Sequence, residues 1–260
     1  MFEGVVGNNE STQEIARPWA KKEKRNMFRL FAAILIIVSI VGCSSTNRLL
    51  SSLRYKNDVI KLQTDERILF EKGAEKEAKL ISSILDSSID VVTRFYGSPF
   101  TKDIYITVSA SQKHFMRRCG GSPKARGMFN WGRIFISPLA FTRDTYEKIL
   151  VHELAHLHTG EKTGVFHYVS DIPAWFSEGL SVYVSDGGGA ESVSDSQAID
   201  WIIEGKHFNP TAKGSLFKPS GYVSTLPWPM FYRQAGLFVK YLSDFDGVLA
   251  AAAFYLSFSS

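Results

Sequence analysis

The chain has 260 residues, of which 45% are hydrophobic and 22% are charged, a composition that is ordinary for a globular protein with a substantial core. The formal net charge is only +4, and this balance gives no argument for binding to nucleic acid. The length fits one main domain once a targeting segment is set aside, and the sequence shows no internal repeat.

We interpret the first 42 residues as a leader, on the pattern that follows Met27. Basic residues precede an apolar stretch, Leu30–Val41, whose length suits the core of a signal peptide and is short for crossing a bilayer. Residues 40–43 read Ile-Val-Gly-Cys, which resembles the bacterial lipobox. The resemblance implies that residues 1–42 are cleaved and that Cys43 carries lipid. The protein would then be anchored to a membrane of the bacterial envelope, on the outer membrane or the periplasmic side in a Gram-negative cell.

Other interpretations of the leader remain open. An uncleaved anchor helix or a plain secretory signal also fits the apolar stretch. Residues 1–26 differ from an ordinary signal peptide, so Met27 is a second candidate for the start of the protein, and a cytoplasmic extension is another. After cleavage at Cys43, Cys119 would be the one free thiol, so we expect no disulfide within the chain.

After a polar tether at residues 43–57, the apolar pattern predicts a single domain over residues 58–260. Alternation with period two indicates strands, and recurrence at three- and four-residue spacing indicates helices. In chain order the patterns predict a strand at 58–66, a helix at 69–96 closed by Gly97 and Pro99, a strand at 103–109, a short helix or loop at 111–119, and a hairpin at 125–138 that turns at Asn130-Trp131-Gly132.

The second half of the domain is predicted to be mainly helical. A helix over residues 144–160 has capping-box spacing at Asp144 and Glu147, and Gly160 suits its C-terminal end. Further helices are predicted at 172–185, near 199–203 and from residue 229 onward, with loops over much of 190–226. Strands and helices together predict the α+β fold class.

The stretch VHELAHLHTG, residues 151–160, holds three of the six histidines. On a helix, His152 and His156 project from one face about 6 Å apart, so both imidazoles can reach one ion. Glu153 lies about 100° around the helix axis from His152, which suits an acid that acts on metal-bound water and does not bind the metal. This is the H-E-x-x-H arrangement of zinc metalloproteases.

A third ligand is expected, because catalytic zinc usually has three protein ligands and one open position. Glu178 lies on the next predicted helix, in the sequence PAWFSEGL, and two histidines with a glutamate form a known catalytic set for zinc. The competing interpretation is a solvated helix face beside an unrelated acidic helix end. H-E-x-x-H occurs by chance in about one chain in a hundred of this length, so the second segment is what makes the pattern specific.

The segments LVHELAHLHTG and PAWFSEGLSVYV resemble the two most characteristic segments of the peptidase MA-like, or gluzincin, family of zinc metallopeptidases. The resemblance implies a zincin-like α+β fold, in which a small mixed or antiparallel sheet with an edge hairpin packs on the active helix. It also implies that His152, His156 and Glu178 bind zinc and that Glu153 is the catalytic acid and base.

The same resemblance extends more weakly over the rest of the domain. It implies that the hairpin strand at Gly127–Asn130 is an edge strand that aligns the substrate, against the alternative of a hairpin buried on both sides. It makes Tyr232 a candidate for stabilising the oxyanion, with Tyr183, Tyr222 and Tyr241 as competitors. The apolar ending at residues 248–260 departs from the usual charged ending of the family.

The sequence therefore predicts a membrane-anchored zinc peptidase that cleaves an extended peptide with metal-activated water, Glu153 being the general base. The alternative is a non-catalytic envelope lipoprotein that keeps a structural or partner-binding zinc site, and hydrolysis of a non-peptide bond is a third hypothesis. The remaining histidines are not predicted to be ligands. His158 points about 200° away from His156 and is expected at the surface or behind the site, and the others have no partner at ligand spacing: His114, His167 and His207.

Overall fold

The structure is a computed structural model that describes residues 58–164, 167–168, 171–210 and 226–246. The leader, the tether, the candidate lipidation site at Cys43 and the apolar ending at 248–260 lie outside these residues. The described part is a mixed α+β protein, as the sequence predicts. No helix in it is both long enough and apolar enough to span a bilayer.

The described residues form five strands, six α-helices and one short 3-10 helix at Pro138–Phe141. The strands are β1 (Ile60–Leu62), β2 (Asp65–Phe70), β3 (Ile106–Val108), β4 (Gly127–Asn130) and β5 (Arg133–Ile136). The helices are α1 (Glu75–Tyr96), α2 (Gln112–Cys119), α3 (Tyr146–Thr163), α4 (Ala174–Val184), α5 (Asp195–Ile203) and α6 (Trp228–Asp246).

The five strands form one mixed sheet in the order β1-β2-β3-β5-β4. The central strands β2, β3 and β5 are parallel, whereas β1 and β4 run antiparallel at the two edges. Alternate residues of β5 face opposite sides, as the pleat requires. Ile134 and Ile136 join the main core with α1 and α3, while Phe135 packs with α2.

Two predictions for the start of the domain need correction. The strand predicted at 58–66 is two strands, because the chain reverses at Gln63–Thr64 and Ile60 pairs with Phe70. The helix predicted from residue 69 begins at Glu75, since Leu69 and Phe70 extend β2. Its predicted end is confirmed, and Gly97 takes the left-handed conformation there with φ of 65°.

The hairpin turn is also confirmed. Trp131 and Gly132 both have positive φ, 49° and 76°, which is typical of the two-residue turn that matches the twist of a β-hairpin. The predicted ends of the next helix are wrong. Thr145 caps α3 without a side-chain hydrogen bond, so no capping box forms, and Gly160 lies inside the helix. A Cβ at Gly160 would lie 3.0 Å from the ring of Phe129, so glycine lets β4 pack closely on α3.

A second core joins α4 to α6. The two helices approach so closely that a Cβ added at Gly179 would lie 2.5 Å from the Ala235 carbonyl oxygen. Aromatic residues around this contact include Trp175, Phe176 and Phe231, all buried. Helix α4 packs on both α6 and α3, and these three helices carry the site described next.

Candidate metal centre

Helices α3 and α4 bring together the three residues that the sequence singles out as ligands. His152 and His156 lie on the buried face of α3, 3% and 6% exposed, and Glu178 lies on α4. The Nε2 atoms of the two imidazoles are 3.0 Å apart. Each is 3.3 Å from Glu178 Oε2, so the predicted grouping is confirmed.

The spacing of these donor atoms fits one small cation. A tetrahedral zinc ion with bonds of about 2.0–2.1 Å separates its ligand atoms by about 3.3–3.4 Å. The observed separations are 3.0, 3.3 and 3.3 Å. Glu178 Oε2 is also a buried oxygen that has no well-aligned hydrogen bond within the described residues. The group could therefore hold a metal ion. A buried oxygen without a hydrogen-bond donor, such as Glu178 Oε2, is suited to binding a cation.

Electrostatics hold Glu178 in its charged form. Burial alone would raise the pKa of its carboxyl, but the neighbouring His156 and His152 outweigh that effect and hold the pKa well below its usual range. Metal binding would use the charged carboxylate together with neutral imidazoles.

Glu153 is buried beside this group without belonging to it. It is 6% exposed, and burial raises its pKa to about 7, with the charge of Glu178 adding to the rise. His152 and a backbone hydrogen bond from Phe129 act in the opposite direction. A Cβ at Gly127 would lie 2.6 Å from Glu153 Oε1, so glycine at the start of β4 leaves room for the carboxyl.

Three hydroxyl groups surround the second nitrogen of His156. Its Nδ1 lies 2.8 Å from the Tyr168 hydroxyl, 3.1 Å from Ser181 Oγ and 3.2 Å from Ser177 Oγ. The hydroxyls of Tyr168 and Ser177 are themselves 2.8 Å apart. Sequence reasoning missed all three, because no spacing rule marks a tyrosine in the connection between two helices. Ser177 and Ser181 do carry a signal, since they lie one helical turn apart around Glu178.

The surroundings of His152 are different. Its Nδ1 is buried and has no hydrogen-bond partner in the described part of the chain. Its ring stacks on Tyr232 of α6, with ring centroids 5.8 Å apart. Gly189 packs against both rings, since a Cβ there would lie 3.0 Å from Tyr232 and 3.4 Å from His152.

Tyr232 is the tyrosine of α6 that reaches the site. Burial raises its pKa well above the ordinary value, and Glu178, Glu153 and a hydrogen bond with Glu178 add to the rise. Tyr183 instead packs edge-on against Phe95, and Tyr241 is 58% exposed. Tyr222 lies outside the described residues.

Strand β4 is an edge strand, as predicted. It pairs with β5 on one side, and the sheet order places no other described strand beside it. Phe129 of β4 packs on Tyr168, and Gly127 faces Glu153. The open edge of the sheet therefore runs next to the candidate metal centre.

The other histidines take no part in the group. Of the two places predicted for His158, the surface or behind the site, the surface is excluded, because His158 is 1% exposed, stacks on Tyr96 and contacts the Ser98 carbonyl oxygen. Burial lowers its pKa. The three remaining histidines have unrelated partners: Glu71 for His114, Asp171 for His167 and the Phe208 carbonyl for His207.

No protein-family model matches the chain, and no curated protein matches it. Membership of the gluzincin family therefore remains a prediction that rests on the motifs and on the geometry of the site.

Proposed function

We propose that this protein is a zinc-dependent peptidase with a zincin-like fold, lipid-anchored in a bacterial envelope. The observation that carries the proposal is the convergence of His152, His156 and Glu178, with donor atoms 3.0–3.3 Å apart, beside a buried acid that is not a ligand. Two imidazoles and one carboxylate are a donor set that zinc uses in catalytic sites with an open fourth position. Zinc bound there would polarise a substrate carbonyl and lower the pKa of a water molecule to about 7.

Glu153 is the proposed general base. It follows the proposed ligand His152 on α3, is not itself one of the grouped donors, and packs against Gly127 of β4. It would take a proton at its carboxylate and pass it to the leaving nitrogen of the cleaved bond. Its burial limits competing contacts with bulk water.

The proposed substrate is an extended peptide. An edge strand offers N–H and C=O groups that its own sheet does not use, and Gly127–Asn130 can pair with an added strand through those other than the Phe129 N–H, which donates to Glu153. That strand would run past Glu153 and the ligand group, because Gly127 abuts Glu153. Tyr232, held beside His152 and Glu178, is the proposed donor to the oxyanion that forms during cleavage.

A direct test is hydrolysis of a mixed peptide library by the purified protein, before and after chelation, with zinc added back. The proposal predicts cleavage that stops on chelation and returns with zinc. A protein that holds zinc and cleaves no peptide would instead support the non-catalytic envelope lipoprotein.

The membrane anchor is proposed from the lipobox alone. Mass spectrometry of the mature protein should find lipid on Cys43, and Cys43→Ser should leave a longer, unprocessed precursor. An intact leader with unmodified Cys43 in the wild-type protein would contradict this part of the proposal.

A further inference from the structure

The two proposed histidine ligands differ in what holds their rings. His152 Nδ1 has no hydrogen-bond partner in the described residues, and its ring is held by stacking on Tyr232. His156 Nδ1 lies within 3.2 Å of three hydroxyl oxygens. We call the hydroxyls of Tyr168, Ser177 and Ser181 the hydroxyl cage.

The cage is assembled from two parts of the chain. Tyr168 lies in the connection between α3 and α4, whereas Ser177 and Ser181 lie on α4 on either side of Glu178. Ser177 and Ser181 are 8% and 1% exposed, so bulk water has little access to either hydroxyl. One face of α4 therefore presents a proposed ligand and two hydroxyls that meet the opposite nitrogen of another ligand.

The chemistry of hydroxyls decides what the cage can do. When His156 Nε2 offers its lone pair to a cation, Nδ1 carries the hydrogen and donates it to a hydroxyl oxygen. In the other tautomer a hydroxyl donates to Nδ1 instead. A carboxylate in this place could only accept, and it would favour the doubly protonated imidazolium. The cage satisfies a neutral imidazole in either tautomer, and neutral imidazole is the form that binds metal.

We propose that the hydroxyl cage positions His156, fixing the plane of its ring so that Nε2 points at the metal, and that His156 is the anchored histidine of the site while His152 is the adaptable one. The inference rests on the proposed function only through the metal site. Partners behind metal-binding histidines typically change metal affinity about 10–100-fold when they are removed.

The test is the affinity for Zn²⁺ of full-length mature protein, measured by chelator competition at one pH for wild type, Ser181→Ala, Tyr168→Phe and the double variant. The double variant should bind zinc about 10–100-fold more weakly, and Ser181→Ala about 3–10-fold more weakly. With Co²⁺ in place of zinc, the double variant should also show a changed visible absorption spectrum, because ring orientation alters the ligand field.

Two controls remove a hydroxyl that is not bonded to His156. Tyr96→Phe removes a partly buried hydroxyl that contacts Thr159 on α3, and Ser88→Ala removes a buried hydroxyl of α1. Both should bind zinc within twofold of wild type. If Tyr168→Phe does not fold, Ser181→Ala decides the question, because it deletes one atom from a hydroxyl pointed at Nδ1.

Unchanged zinc affinity in Ser181→Ala and in a folded double variant would overturn the inference, whether or not the protein cleaves peptides. Weakened zinc affinity in the variants, with no peptide cleavage by zinc-loaded wild type, would support the cage and contradict the proposed peptidase.

Discussion

Glu71 and Glu178 are both carboxylates of low exposure, and their hydrogen-bonding surroundings differ. Glu71, 4% exposed, accepts hydrogen bonds from Arg118 Nε at 2.5 Å and from the Ala110 N–H at 2.8 Å, and His114 Nδ1 lies 3.1 Å away. Both of its oxygens are satisfied within the fold. One oxygen of Glu178 faces two imidazole nitrogens and makes no well-aligned hydrogen bond in the described residues.

Glu71 stabilises the fold through its hydrogen bonds, whereas the hydrogen bonding of Glu178 is incomplete within the described residues. We call Glu71, Arg118 and His114 the Glu71 cluster. The cluster connects α2 to the ends of β2 and β3, and the carboxylate of Glu71 has all its hydrogen-bond partners without any ligand. At the candidate metal centre, three donor groups of low exposure converge, and Glu178 Oε2 makes no well-aligned hydrogen bond in the described residues. Such an arrangement is favourable once a cation is present.

The largest expected effect is on catalysis at the metal centre. Glu153→Gln should lower the rate of peptide hydrolysis by about 10²–10⁴-fold, because it removes the proposed proton acceptor. Zinc content should stay near the wild-type level, since Glu153 is not in the ligand group. Glu178→Gln should lower zinc content and activity together. Full activity in Glu153→Gln would exclude it as the base.

The next largest effect is on the stability of the Glu71 cluster. Arg118→Met leaves a buried carboxylate without its cation, which should cost about 3–5 kcal/mol in the free energy of unfolding, measured with urea at pH 7. Adding Glu71→Gln should recover much of that loss. Arg117→Met, at an exposed position on the same helix, is the matched control and should stay within about 0.5 kcal/mol. Equal losses in the two single variants would contradict a structural role for the pair.

The pH dependence of stability should also come from Glu71. Burial alone would raise its pKa, but Arg118 and the Ala110 N–H outweigh it and lower the pKa below its ordinary value of 4.5. The folded-state pKa is thus lower than the unfolded one. The stabilisation is complete above the unfolded value and is lost as the pH falls through the folded one.

The measurement is the free energy of unfolding of wild type and Glu71→Gln between pH 7 and pH 3. Wild type should lose more stability on acidification than Glu71→Gln does. Parallel curves for the two proteins would show that Glu71 contributes nothing to acid sensitivity.

The smallest effect is expected at the outer partner of the same cluster. The His114 side chain is 53% exposed, and Glu71 keeps its other two partners when His114 is removed. His114→Ala should therefore change the free energy of unfolding by no more than about 1 kcal/mol, as for other exposed pairs. A loss as large as that of Arg118→Met would mean that His114 is an essential part of the cluster.

The sequence predicts the metal centre better than it predicts the Glu71 cluster, for a physical reason. Helical spacing alone places His152 and His156 on one face, and the short connection to α4 makes the approach of Glu178 foreseeable. Glu71 and Arg118 are 47 residues apart and meet only when α2 packs on the sheet, so no local pattern signals their contact.

The errors in the predicted secondary structure also arise where the local sequence carries no signal or a misleading one. The reversal between β1 and β2 uses Gln63 and Thr64, which carry no turn signal, so the sequence favours one strand. Gly160 suits a helix end in sequence, yet it serves the close approach of Phe129. The turn at Trp131–Gly132 and the end of α1 at Gly97 were predictable, because both need a backbone conformation that glycine adopts readily.

His152, His156 and Glu178 are proposed to bind a metal ion. Elemental analysis tests this directly, on wild type, His156→Ala and His167→Ala, each purified without chelator and offered zinc. His167 is exposed and pairs with Asp171, so it is a histidine outside the group. We expect about one zinc per chain in wild type and His167→Ala, and little in His156→Ala. A wild-type protein without zinc, or a His156→Ala variant with full zinc content, would contradict it.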